Sequence, residues 1–312
     1  MDAFSAPHFT DDNEARKYLE AIRWPAGRAC PHCGVIGKAY ATKKPGVYRC
    51  ADPECRKDFT VTTKTVMESS HIALHKWLQG FYLMASSKKG VSAHQLHRTL
   101  GITYKAAWFM AHRIREAMRA GGLEPLGGAG KIVEADETYF GKPETARVSP
   151  QRQGRAYSAA GARGPANKRA ILSLVERGGN VRSFHIAVAD KKTVDTIVKE
   201  NVDRETRLHT DESRLYNATD THFAAHETVK HSAGEYVRGD VHTNSAEGYF
   251  SIFKRGMRGV YQHCKEKHLH RYLSEYDFRY NTRSALGFND GERAALAVKG
   301  AEGKRLTYRQ PS

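Results

Sequence analysis

A chain of 312 residues has room for two or three domains, and a hydrophobic content of 40% supplies real cores, which excludes a disordered chain. Fifty Lys and Arg against 34 Asp and Glu leave a net charge of +16 and a pI near 9.6, and this favours a polyanionic partner, because basic side chains on phosphates release condensed counterions. No run of about 18 apolar residues occurs, so no membrane span is expected, and the acid-bearing start, Met1 to Asp12, lacks the apolar stretch of a secretory signal.

Residues 9–28 read as a short amphipathic helix with Thr10 or Asp11 as cap and Pro25 as stop. Cys30-Pro-His-Cys33 follows, and sixteen residues later comes Cys50-Ala-Asp-Pro-Glu-Cys55. Four thiolates in two short-spaced pairs suit tetrahedral zinc, which accepts soft sulfur donors. Gly34 and Pro53 can shape the two knuckle turns, and His32 is not needed as a fifth ligand. Four free structural thiols are the alternative, and the paired spacing weighs against it. Cysteines used this way point to a reducing, cytoplasmic setting rather than a disulfide framework. A zinc ribbon alone does not identify a function, since it can bind DNA, RNA or protein.

From Leu74 to about Met118 the period is helical, broken at 88–92 and 100–103. The segment VSAHQLHRTLGITYKAAWFMAHRIREAM has the pattern of a helix-turn-helix. Ser92 can cap a first helix carrying Leu96 and Leu100, Gly101 sits at the turn, and Thr103 can cap a second helix whose apolar face is Ala107, Trp108 and Ile114. In such a motif Tyr104 and Lys105 would face bases or phosphates, and Lys88, Lys89, Arg98, Arg113 and Arg115 add to the local charge. An ordinary helical hairpin is the alternative. The Gly-rich bridge at 121–130 then marks a linker.

Beyond it strands alternate with helices. KIVEADETYF is strand-like, RAILSLVER and VRSFHIAVA form a hairpin across Gly178-Gly179-Asn180, and TVDTIVKENV is helical. TRLHTDES is a short strand, and 244–258 and 266–280 are helical. The expected domain is an α/β or α+β sheet. Between the first two strands, residues 141–169 carry seven Lys and Arg against one acid, as a DNA-contacting loop or a solvated insertion would. Three carboxylates are oddly placed. Asp136 interrupts an apolar-flanked strand, where a carboxylate needs a cation beside it; by the pleat, Glu134 shares its face and Glu137 points away. Asp211 closes a strand, and Glu247 lies near a helix start with Lys254 two turns on. Each has a structural alternative: an edge-strand position for Asp136, a helix cap for Asp211, a capping pair with Asn244 for Glu247. Cys264, the fifth cysteine, reads as a small packing residue, and Tyr139 and Tyr216 also read as packing residues.

Together, Asp136 in ADETYFGK, Asp211 in HTDESRLY and Glu247 in VHTNSAEGYFSIFKRG, with RGVYQH, HLHRYLSEYDFRYNTR and a ribbon ending in FTVTTKTVM, resemble the DDE transposases of small bacterial insertion sequences, the zinc-ribbon group related to Merlin-type transposons. The resemblance covers about residues 20–285, and the D-x35-E-x6-K layout is part of it. It implies an RNase H-like catalytic fold of α/β class. It also implies dependence on Mg2+ or Mn2+ held by Asp136, Asp211 and Glu247, with Lys254 on a phosphate, and strand transfer at terminal inverted repeats. Asn244, one turn from Glu247, is the alternative third ligand or a neighbouring cap. Lys254, Arg255 and Arg258 would contact DNA. Double-stranded DNA is the expected partner, and pairing two ends implies a homodimer or larger assembly in the nucleoid. A non-catalytic DNA-binding regulator and an RNase H-like nuclease are the rival readings. The expected division is an N-terminal helix (1–28), zinc ribbon (29–66), helix-turn-helix-like segment (67–120), linker (121–130), catalytic domain (131–285) and C-terminal tail (286–312).

Overall fold

The first helix begins where the sequence offers a cap. Asp11 accepts from the backbone N–H groups of Asn13 and Glu14 at 2.8 and 2.9 Å, and α1 runs Asp12–Arg23, ending before Trp24-Pro25. The computed structural model describes residues 4–144, 168–217, 219 and 221–307. It divides into two units, one built from residues 1–120 and 282–312, the other from 121–281.

In the first unit α1 is followed by a small antiparallel sheet of β1 (Ala39–Ala41), β2 (Tyr48–Cys50) and β3 (Asp58–Phe59), in that order. Strands this short bury little, and the apolar support is an edge-to-face cluster in which Trp24 meets Tyr48 and Phe59 at 5.9 and 5.8 Å. Next come α2 (Leu74–Ser86), α3 (Ala93–Leu100) and α4 (Tyr104–Met118). The caps read from the sequence are in place: Ser92 accepts from Gln95 N–H at 3.1 Å and Thr103 from Ala106 N–H at 3.2 Å. Gly101, at φ 59, makes the left-handed turn between the two helices. Every residue of α4 from Met110 to Met118 is buried, so this helix is a core axis of its unit, and its exposed part is the first turn with Tyr104 and Lys105.

The second unit is organised by one sheet. Its elements in chain order are β4 (Ile132–Phe140), β5 (Arg169–Glu176), β6 (Val181–Ile186), α5 (Lys191–Asn201), β7 (Arg207–Asp211), β8 (Ala225–Val229), α6 (Asn244–Gly256) and α7 (Leu269–Asn281). The strand order is β6-β5-β4-β7-β8; β4, β5 and β6 are antiparallel neighbours, while β7 runs parallel to β4 and β8 parallel to β7. A three-strand meander continued by parallel strands at its first member is the RNase H-like α/β arrangement. The pleat divides β4 and β5 between two cores. Val133, Ala135, Leu172 and Leu174 pack with Val194 and Val198 of α5, whereas Ile171 and Val175 pack with Phe250 and Phe253 of α6 and Leu273 of α7. Burial on both faces is why β5 reads as an almost continuous apolar run. A π-helical turn, Met257–Tyr261, extends α6.

Residues 286–312, expected as a tail, instead carry α8 (Asp290–Lys299), which packs on α2 and belongs to the first unit. A capping box starts it: Asn289 accepts from Glu292 N–H at 3.0 Å and Glu292 accepts from Asn289 N–H at 2.9 Å. The buried stripe of α8 is Ala294, Ala297 and Val298, small side chains that permit close packing but give a weak periodic signal. At Gly300 a Cβ would lie 2.4 Å from the Ala117 carbonyl oxygen, at the end of α4. Gly300→Ala is therefore expected to cost about 1–3 kcal/mol, seen as a lower urea midpoint at unchanged m value. Wild-type stability would mean that the α8 terminus can shift away. Among the described residues, no helix is long and apolar enough to cross a membrane.

Candidate active site

The cysteine cluster is set by two tight turns. The Cys30–Cys33 knuckle closes with Gly34 N–H on the Cys30 carbonyl at 2.8 Å, Gly34 itself at φ 81, and the second pair sits at the end of β2 and the turn after it. The ligand sulfurs of Cys30, Cys33, Cys50 and Cys55 all lie within 4.8 Å of one another. Cys30 to Cys55 and Cys33 to Cys50 are each 3.7 Å. A regular tetrahedron with Zn–S bonds of about 2.3 Å has S···S edges of about 3.8 Å, so the four thiols fit zinc. Burial pushes the Cys50 thiol up to about 12, helped by its three cysteine neighbours, and a divalent cation at the centre reverses that preference. His32 turns aside, its Nε2 lying 3.3 Å from the Asp58 carbonyl.

In the second unit, pairing places the acids. Asp136 of β4 stands opposite Ser173, and Glu134 stands opposite Val175, on the sheet face covered by α6 and α7. In β7, Leu208 packs on the α5 side, so His209 and Asp211 share the face of Glu134 and Asp136. Asp211 closes its strand by accepting from Ser213 N–H at 2.9 Å, which turns the chain into a short 3-10 segment. Glu247 and Lys254 come from α6, the glutamate exposed and the lysine half-buried.

Electrostatics ties these positions together. Burial pushes the Asp136 carboxyl up to about 8, and the charges of Asp211, Glu137 and Glu247 push in the same direction. Burial and the Arg258 charge lower Lys254, while Asp136 works against them. Asp136, Asp211, Glu247 and Lys254 thus lie within electrostatic reach of one centre. Their carboxylate oxygens are less tightly gathered than the sulfurs: among the described residues, the four cysteines are the one group of three or more His, Cys, Asp or Glu side chains close enough together to hold a single ion.

Several members of this neighbourhood lie outside the sequence-derived set. Glu137 faces away from Asp136, as the pleat requires, and accepts from the Tyr216 hydroxyl at 2.7 Å and the Ser213 hydroxyl at 3.2 Å. This bond gives the fully buried Tyr216 its polar partner. Glu134 is fully buried against Arg177, whose guanidinium donates at 2.8 and 3.1 Å. The capping pair of Asn244 and Glu247 does not form. Thr243 is the N-cap without a side-chain bond, Asn244 is exposed, and the first turn is capped by Glu134 instead, across the fold. The pleat pairing of Glu134 with Asp136 was the available signal for its place in the site. Arg255 and Arg258 are exposed beside Lys254, whereas Tyr104 and Lys105 belong to the first unit. Cys264 is half-buried and packs against the α6–α7 core. Of the basic stretch 141–169, residues 145–167 lie outside the described residues.

Comparison with known proteins places both units. Residues 125–281 match the model of the ISXO2-like transposase domain, and residues 10–58 match that of the transposase zinc-ribbon domain. Over 269 residues the chain is 32% identical to a protein of Halobacterium salinarum (strain ATCC 700922 / JCM 11081 / NRC-1) described as an uncharacterized protein in transposable element ISH50, covering 81% of this chain and 86% of that protein. Among solved structures it is similar to a pre-cleavage Mos1 transpososome, at 10% identity over 68% of this chain and 75% of that chain with a TM-score of 0.29. It is also similar to the Mos1 strand transfer complex, at 11% identity over 74% and 79% of the two chains with a TM-score of 0.29. The family assignment stands on the sequence matches alone. The chain belongs to the ISXO2-like family of DDE transposases and carries that family's zinc ribbon ahead of its catalytic domain.

Proposed function

We propose that the protein cuts DNA at the terminal inverted repeats of an insertion sequence and joins the freed ends to target DNA in a Mg2+- or Mn2+-dependent reaction. The observation that carries this reading is the grouping of Asp211 and Glu247 with the buried Asp136, whose carboxyl is pushed up to about 8 by burial first and by the charges of Asp211, Glu137 and Glu247 after it. Such a cluster of hard oxygen donors fits a hard divalent cation. A divalent cation held there would supply Lewis-acid chemistry, activation of the attacking oxygen and neutralisation of charge on the leaving one. Asp136, Asp211 and Glu247 are the residues that would hold the cation. Lys254, in reach of Asp136, holds the phosphate in line as a cation and not as a base. No serine or tyrosine nucleophile is required.

The exposed first turn of α4 supports a DNA-reading role for Tyr104 and Lys105, and Arg255 and Arg258 extend the positive surface beside Lys254. Bringing two ends together calls for a homodimer or larger assembly. The test is to incubate purified zinc-loaded protein with the element's end DNA and Mg2+. Joined products are expected. Cleavage without joining would favour a nuclease, and binding without cleavage a DNA-binding regulator.

A further inference from the structure

Glu134 has no exposed surface, yet it is a carboxylate in the middle of a strand, and both of its oxygens are taken. Oε1 accepts from Arg177 at 2.8 and 3.1 Å and from the Ser245 hydroxyl at 3.0 Å. Oε2 accepts from the backbone N–H groups of Ser245 and Ala246 at 2.7 and 3.1 Å. A buried carboxylate is costly unless it is paired and hydrogen-bonded, and this one is both. Its donors include the first free N–H groups of α6, which Thr243 leaves without a side-chain cap. With its oxygens filled in this way, Glu134 is not available as a metal ligand.

We propose that Glu134 is a positioning residue for the catalytic centre, a strand carboxylate that caps α6 from across the fold and so sets the separation of Asp136 from Glu247. This inference rests on the reading of Asp136 and Glu247 as metal ligands. Glu134 and Asp136 lie on one side of β4, two residues apart, which is about 6.8 Å along a strand. Ser245 and Glu247 lie two residues apart in the first turn of α6. The Glu134 hydrogen bonds join these two short, stiff segments directly. Elsewhere the seam between sheet and α6 is apolar through Ile171, Val175, Phe250 and Phe253, and apolar contact is not directional; a further polar link, Ser183 hydroxyl to Tyr249 hydroxyl at 2.9 Å, lies on β6, two strands from β4. Arg177 extends the lock, donating to the Asp240 and His242 carbonyls at 2.8 and 3.3 Å and so holding the segment that leads into α6.

Binding of Mn2+ alone to the zinc-loaded full chain, read from loss of the free-ion EPR signal, tests this beside end-DNA cleavage. The variants are Glu134→Gln, Glu247→Gln and the two combined. Glu134→Gln is expected to weaken Mn2+ binding about 10- to 100-fold, to slow cleavage by a similar factor and to raise the Mn2+ concentration for half-maximal rate. The double variant is expected to bind Mn2+ no more weakly than Glu247→Gln alone, because the cap acts through Glu247. Wild-type Mn2+ affinity in Glu134→Gln, or additive losses in the double variant, would overturn the proposal. If Glu247→Gln itself binds Mn2+ like wild type, the ligand reading of Glu247 fails and the positioning role falls with it. Should Glu134→Gln fail to fold, Ser245→Ala removes a single hydroxyl contact. About threefold weaker binding is then expected, and unchanged binding would overturn the proposal.

Discussion

Asp136→Asn is expected to lower DNA cleavage and joining by at least about 1000-fold while end-DNA binding is retained, because the substitution keeps shape and removes the charge that would hold a divalent cation. The same variant is expected to be more stable than wild type without Mg2+, an effect a mere loss of packing would not give. In an unfolded chain an aspartate titrates near about 4. In the folded protein burial and the neighbouring acids push Asp136 up to about 8. Between those values the folded state holds a proton that the unfolded state has released, so stability falls as pH rises through that window and levels off above it. Wild-type protein, zinc-loaded and free of Mg2+, should therefore lose melting temperature between pH 5 and pH 8, and Asp136→Asn should lose less. Added Mg2+ should raise the wild-type value at pH 8 more than that of the variant. Calorimetry at the two pH values, with and without Mg2+, measures all four numbers; equal pH slopes in the two proteins would remove Asp136 from the centre of the cluster.

Loss of zinc is the second large effect. The strands of the ribbon are three, three and two residues long, and beside the cysteines its buried apolar support is Trp24, Tyr48, Phe59, Val61 and Val66. Such a module cannot offset its chain entropy by burial, whereas structural zinc binding supplies roughly 10–16 kcal/mol in comparable small sites. Cys30→Ser, or stripping zinc with a chelator, is expected to unfold residues 29–66 and open them to proteolysis. The sheet of the second unit, whose core contains none of the four cysteines, should keep its protection. Mass spectrometry should find one zinc per chain before stripping. A ribbon that resists protease equally with and without metal would show that its fold does not depend on the ion.

Much of the fold was legible where the determining chemistry is local. Asp11, Ser92 and Thr103 announce helix starts because an N-cap acts over two or three residues, and the cysteine pairs announce a metal site for the same reason of short spacing. The β5–β6 hairpin was legible from its Gly-Gly-Asn turn. Strand β8 was not, because four of its five residues are half-buried at a sheet edge and leave no alternation. Helix α8 was hidden by its alanine stripe, although the Asn289–Glu292 capping box was available in the sequence. In the candidate site, Asp136 stood out as a carboxylate on an apolar strand. The role of Glu134 did not, since its α6 partners lie 111 and 112 residues away and Arg177 lies 43 away, and no local pattern reports contacts at that range.

The first unit is discontinuous, its α8 separated from α2 and α4 by the whole of residues 121–281. During synthesis α2 and α4 emerge long before the helix that covers them. At about 5–20 residues per second, the intervening segment alone takes on the order of ten seconds to make. The RNase H-like unit, continuous in sequence, is complete once residue 281 has emerged, ahead of α8. The N-terminal unit must wait with part of its apolar surface uncovered, and a message cut short after residue 281 would yield a complete sheet unit attached to an incomplete partner. Order of emergence from the ribosome is thus written into the connectivity: the sheet unit is complete before the helix that closes the first unit.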